Sequence, residues 1–130
     1  MYTVYLDTSL VAKLILDEPD SDLVATWLTE SPYRLVSSRL LETELRRAAA
    51  WAAVPQQHAS TALSWVNLID VPRDAFFGAG VYPDPGLRSL DALHVTMASL
   101  AGADAIATYD AKMAAAAQAI GLMVITPEAA

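Results

Sequence analysis

Two rhythms of apolar positions alternate along this chain. Short apolar runs bounded by turn residues read as strands at Thr3 to Leu6, Arg34 to Ser37, Asn67 to Val71, Ala105 to Thr108 and Leu122 to Ile125. Between them, helical spacing predicts helices over Ser9 to Leu16, Ser21 to Glu30, Arg39 to Ala53, Gln57 to Val66, Arg73 to Tyr82, Ser89 to Ala101 and Ala111 to Ile120. Asp17-Glu18-Pro19-Asp20, Pro55, Pro72, Pro83-Asp84-Pro85-Gly86, Gly102 and Gly121 punctuate them. Strands alternating with helices predict a three-layer α/β/α sandwich around a parallel sheet of about five strands. No repeat or linker interrupts the pattern, so residues 1–130 read as one domain. The alanines at 114 to 117 fit close packing of a small-residue helix on a sheet.

Composition narrows the chemistry. Hydrophobic residues make up 55% of the chain, and the mean hydropathy is +0.34. That surplus predicts a well-buried sheet and leaves apolar surface for a partner. Every apolar run is too short to span a bilayer, and the first residues carry no secretory pattern, so a cytoplasmic location is expected. Without Cys the chain has neither disulfides nor a thiolate zinc site. A net charge of −7 excludes a broad basic nucleic-acid-binding face. It does not exclude a nuclease, because a carboxylate cluster makes a chain acidic while its bound metal supplies positive charge.

Four acids stand out. Asp7 ends the first predicted strand and Asp110 follows the fourth, so in a parallel sheet both belong to one edge; each also fits an N-cap. Glu44 falls on the face of its helix shared by Leu40, Leu41, Leu45, Ala48, Trp51 and Ala52, where an unpaired carboxylate is costly. Glu42, between Arg39 and Arg46 at helical spacing, reads as a solvated ion-pair residue. Asp91 sits in the first turn of its helix, where the macrodipole favours a negative charge. Carboxylates gathered in one cleft repel unless a cation lies among them, and oxygen-only donors suit Mg²⁺ or Mn²⁺. Such a cation can activate water against a phosphodiester. Ser9 and Thr108, each beside a strand end, offer hydroxyl contacts there.

The stretches Y-L-D-T-S around Asp7, S-S-R-L-L-E-T-E-L-R-R-A around Glu44, L-R-S-L-D-A-L-H around Asp91 and A-I-A-T-Y-D-A-K-M around Asp110 follow one another across nearly the whole chain. In that order they resemble the PIN-domain ribonucleases, specifically the VapC-type toxins of VapBC toxin–antitoxin pairs. The resemblance implies a Mg²⁺-dependent endoribonuclease with an acidic quartet at Asp7, Glu44, Asp91 and Asp110 and Thr108 as a hydroxyl neighbour. It also implies a cognate VapB-type antitoxin, an RNA substrate and, with the apolar surplus, a homodimer. Ala111 stands where some PIN nucleases carry a further acid, which argues against two fully occupied metals.

Other residues weigh less. His94, three residues after Asp91 and on the apolar side, reads as a packed or hydrogen-bonded core histidine; His58 has no ligand-like neighbours in sequence. Arg88 and Lys112 flank Asp91 and Asp110 and can reach a phosphate, or serve as solvated loop charges. Trp27, Trp51 and Trp65 are expected in the core. Two further functions compete: a haloacid dehalogenase-like phosphatase with Asp7 as nucleophile, and a non-catalytic module binding metal or antitoxin. The phosphatase wants a second Asp where this chain has Ser9.

Overall fold

A computed structural model of the chain describes residues 1–127. Five strands, β1 (Thr3–Leu6), β2 (Arg34–Ser38), β3 (Asn67–Ile69), β4 (Ala105–Ala107) and β5 (Met123–Ile125), form one sheet in the order β3-β2-β1-β4-β5. Every pairing is parallel, with Tyr5 beside Val36 on one side and Ile106 on the other. The order reverses at β1, so the carboxyl ends of β1 and β4 open a crevice between diverging connections. Ligand sites of open α/β sheets lie at such switch points.

Among the described residues, seven α-helices cover the sheet: α1 (Thr8–Val11), α2 (Ser21–Glu30), α3 (Arg39–Trp51), α4 (Gln56–Leu63), α5 (Arg73–Gly80), α6 (Ser89–Leu100) and α7 (Ala111–Ala119). The predicted helix over Ser9 to Leu16 is broken. α1 passes into a 3₁₀ turn, Ala12–Leu14, before the Asp17 to Asp20 stretch. No helix among the described residues is long and apolar enough to cross a membrane.

Alternation along the strands sorts the core into two layers. Val4 and Leu6 pack with Leu10, Val24, Leu41 and Leu45 on one face of the sheet. Tyr5, Val36 and Ile106 pack with Val95, Met97 and Met113 on the other. The alanine tract behaves as its composition suggests, with Ala116 and Ala117 buried in this second layer. The same period of two continues past the strand ends, carrying Asp7, Ser38 and Thr108 to the face of Tyr5, Val36 and Ile106.

The expectation that the tryptophans lie in the core is corrected for two of them. Trp51 is 90% exposed, and Trp65 is also exposed, whereas Trp27 packs partly against the first layer. The buried stripe of α3 runs through Leu41, Leu45 and Ala49, so the helix is rotated and Trp51 leaves the core. On α6, Leu90 and Leu100 are exposed at the two ends, and burial centres on Ala92 to Val95, Met97 and Ala98.

Candidate functional site

Asp7 leaves β1 and caps α1. Its Oδ2 accepts hydrogen bonds from Ser9 Oγ at 2.7 Å and Thr108 Oγ1 at 2.8 Å, with Ser9 N at 3.4 Å. The two hydroxyls are then used again as acceptors, Ser9 Oγ from Tyr109 N and Thr108 Oγ1 from Asp110 N, both at 2.9 Å. Each hydroxyl therefore spends its single proton on Asp7. The pair ties the end of β1 to the end of β4 and leaves Asp7 Oδ1 without a hydrogen bond from either. In this arrangement Ser9 and Thr108 hold the carboxylate and the neighbouring backbone.

Asp110 leaves β4 and caps α7, its Oδ1 accepting from Met113 N at 3.0 Å. Cap and site are not alternatives here, because capping uses one oxygen and leaves the other. Asp91 lies in the first turn of α6. Burial raises its carboxyl above the ordinary aspartate range, and the charges of Asp110, Asp7 and Glu44 raise it further against a partial offset from His94. The four acids therefore share one electrostatic neighbourhood, with Asp91 as the group that feels the excess negative charge.

Glu44 reaches the same edge from α3. Leu40 packs into the second core layer, and Glu44 lies one turn later on the same side of the helix. It sits at the margin of the buried stripe, its side chain 27% exposed. Oε1 accepts from Thr8 Oγ1 at 2.9 Å and lies 2.5 Å from His94 Nε2. Burial works to raise the Glu44 carboxyl, but the hydrogen bond and charge of His94 and the Thr8 hydroxyl outweigh it and hold the group below its ordinary value. Glu42 is the solvated glutamate, in ion pairs with Arg39 at 3.2 Å and Arg46 at 3.6 Å.

An open cleft of about 520 Å³ runs over these acids, lined by Glu44, Arg88, Ser89, Leu90, Asp91, Asp110 and Lys112. Asp7 is buried and does not line the cleft, but lies near enough for its charge to act on Asp91. Arg88 and Lys112 are both exposed and bring positive charge to its rim. Among the described residues, no three Asp, Glu or His side chains converge closely enough to hold an ion by themselves. The donor chemistry nevertheless fits a hard divalent cation: carboxylate oxygens only, one of them carrying uncompensated negative repulsion. Mg²⁺ in particular is held by one or two carboxylates and keeps several waters.

Sequence reasoning missed the partners of Glu44. His94 was placed correctly as a buried, hydrogen-bonded histidine, but its contact with Glu44 was not foreseen. A histidine on the apolar side of α6, on the helix that also carries Asp91, was the available signal, since a buried imidazole must find partners.

The model of the PIN domain matches residues 4–119. Ribonuclease VapC35 of Mycobacterium tuberculosis is 37% identical over 131 residues, spanning 95% of this chain and 96% of its own. Ribonuclease VapC46 of the same organism is 35% identical over 130 residues, spanning 98% and 99%. Among solved structures, Mycobacterium tuberculosis VapC20, a sarcin–ricin loop cleaving toxin, superposes with a TM-score of 0.74 at 16% identity, over 92% of this chain and 96% of that one. A toxin–antitoxin complex from Klebsiella pneumoniae gives 0.73 at 21%, over 98% and 99%. The chain belongs to the PIN-domain family, and its relatives there include VapC proteins over nearly their whole length.

Proposed function

We propose that this chain is a Mg²⁺-dependent endoribonuclease, the toxin of a toxin–antitoxin pair. The observation that carries the reading is the cleft at the switch-point edge lined by Glu44, Asp91 and Asp110, with Asp7 buried near enough that its charge acts on Asp91; burial, and then the charges of the other three acids, raise the Asp91 carboxyl. The ribonuclease names of the VapC35 and VapC46 relatives support the same reaction. Asp7, Asp91 and Asp110, with Glu44 alongside, would hold a Mg²⁺ ion, or Mn²⁺ as a substitute, together with waters that complete its coordination. The chemistry such a cation would supply is activation of water and neutralisation of charge on the phosphate.

The chain's own residues do the rest. Ser9 and Thr108 fix Asp7 Oδ2 so that Oδ1 is the free ligand atom. Arg88 and Lys112, at the rim of an otherwise acidic cleft, are the cations within reach of substrate phosphates near the acids. The substrate is RNA with unstacked bases, the form that proteins commonly read by sequence.

The test is incubation of the purified chain with structured RNA, with and without Mg²⁺, beside Asp7→Asn. Cleavage by the wild type in Mg²⁺ alone, and its loss in the variant, is the expected result. A wild type that cuts no better than Asp7→Asn across many RNAs overturns the reading. The antitoxin partner is supported by the Klebsiella pneumoniae toxin–antitoxin complex, and by exposed Phe76, Phe77 and Val81 as candidate contact surface. Those side chains also suit a homodimer of this chain in the cytoplasm. Co-expression with a small DNA-binding protein encoded upstream, followed by co-purification, checks the partner.

A further inference from the structure

We infer that His94 is the positioning residue of the site: with Tyr5 behind it, it fixes where the Glu44 carboxylate points. The inference rests on the proposed metal-dependent reading for its consequence, but on geometry for its content. His94 is 1% exposed, on the second turn of α6, and both ring nitrogens are engaged. Nε2 lies 2.5 Å from Glu44 Oε1 and Nδ1 lies 2.8 Å from the Tyr5 hydroxyl. Tyr5 is fully buried, edge-on to the imidazole with ring centroids 5.7 Å apart, and its hydroxyl lies 2.9 Å from Ser38 Oγ. The result is a chain of contacts from β2 through β1 and α6 to an acid on α3. Four separate elements meet in it.

The chain of contacts does something that packing alone would not. Glu44 is the one acid of the four that arrives from a helix flank rather than from a strand end or a helix's first turn, so no backbone cap holds it. Only side chains fix it: Thr8 and His94 both address Oε1. Oε2 is left for the cleft. His94 Nε2 is also 4.0 Å from Asp7 Oδ1, so the same imidazole separates two acids of the quartet by a fixed spacing. A free Glu side chain has three rotatable bonds, and a carboxylate that must wait for a cation gains from losing them beforehand. Partners that orient ligand carboxylates or imidazoles in this way are worth about 10–100-fold in metal affinity or activity.

The experiment compares His94→Leu, His94→Gln and Tyr5→Phe with the wild type by three measurements. They are Mn²⁺ affinity by titration, RNA cleavage resolved into kcat and KM, and the crystal structure of each metal-free chain. His94→Leu is expected to release Glu44 from its position, weaken Mn²⁺ by about 10-fold or more and lower kcat with KM little changed. His94→Gln, whose amide keeps one donor and one acceptor, restores most of the affinity. Tyr5→Phe, which keeps the ring and the fold, moves the same readouts in the same direction by a smaller factor. A folded His94→Leu or Tyr5→Phe chain with Glu44 in place and Mn²⁺ affinity unchanged overturns the inference. A wild type that binds no Mn²⁺ overturns the metal reading instead, and the metal-free structures still decide whether His94 positions Glu44.

Discussion

The Thr108 hydroxyl donates to Asp7 Oδ2 at 2.8 Å across the crevice where the strand order reverses. Residues 101 positions apart in sequence thus share one proton at the base of the site. Asp7 is buried, and a buried carboxylate deprived of a donor costs about 1–3 kcal/mol. Thr108→Val keeps the shape and removes the donor to Asp7 as well as the acceptor for Asp110 N. The expected outcome is a loss of about 1–3 kcal/mol in denaturant titration. Cleavage should fall by about 10-fold or more, since Asp7 is no longer oriented. Thr108→Ser, which keeps the hydroxyl, should recover most of both.

Asp91 sets a stability cost against function. Burial, and then the charges of Asp110, Asp7 and Glu44, raise its folded-state pKa. The α6 macrodipole favours the carboxylate, by roughly 0.3–1 kcal/mol at an exposed site, but the net direction shows that burial and repulsion win. A carboxyl that binds its proton better when folded stabilises the fold most at low pH. That contribution is lost as pH rises from the ordinary aspartate range through the raised value. Asp91→Asn should therefore melt higher than wild type at pH 7, with the gap closing toward pH 4, while RNA cleavage is lost. Mg²⁺ should raise the melting temperature of the wild type more than that of the variant.

How much of this was visible beforehand follows from what each signal measures. Strand and helix order was legible because Pro, Gly and period changes are local properties, and the ends of nearly every element fall within two residues of the expected ones. Asp7 and Asp110 were legible because a parallel sheet sends all strand ends to one edge. The rotation of α3 was not. Leu40, Leu41, Leu45, Ala48 and Trp51 make a broad apolar face, and the stripe that is buried within it depends on where the sheet ends. Trp51 lost because it lies at the last turn of α3, beyond the covered surface. The His94–Glu44 contact was invisible for a similar reason: it joins α6 to α3 across 50 residues.

The end of α3 offers a stability prediction independent of the site. Ala53 has φ 57°, and the chain closes there with Val54 N donating to Ala49 O at 2.9 Å and Ala53 N to Ala50 O at 3.3 Å. The ends of α6 and α7 use the same closure with Gly102 and Gly121 at the left-handed position. An L-residue in that region costs roughly 1–2 kcal/mol, partly offset by the greater unfolded-state freedom of Gly. Ala53→Gly should therefore stabilise the chain by about 0.5–1 kcal/mol and raise its melting temperature by a few degrees, with cleavage unchanged. A lower melting temperature would show that the left-handed position is not strained.

Arg88 and Lys112 carry the last prediction. The chain is acidic overall, so RNA affinity must come from few cations. Among the described residues these two lie at the rim of the acidic cleft, and neither is in an ion pair. Each phosphate contact adds about 0.7 to the slope of log affinity against log salt for single strands. Arg88→Ala and Lys112→Ala should each lower that slope by about 0.7, and the double variant by about twice that. KM should rise while kcat changes little, because the acids proposed to hold the cation are untouched. Arg47→Ala, an exposed charge on α3 that does not line the cleft, is the control and should leave slope and KM alone. Equal slopes in all three variants would place the RNA backbone elsewhere on the surface, away from the rim formed by the starts of α6 and α7.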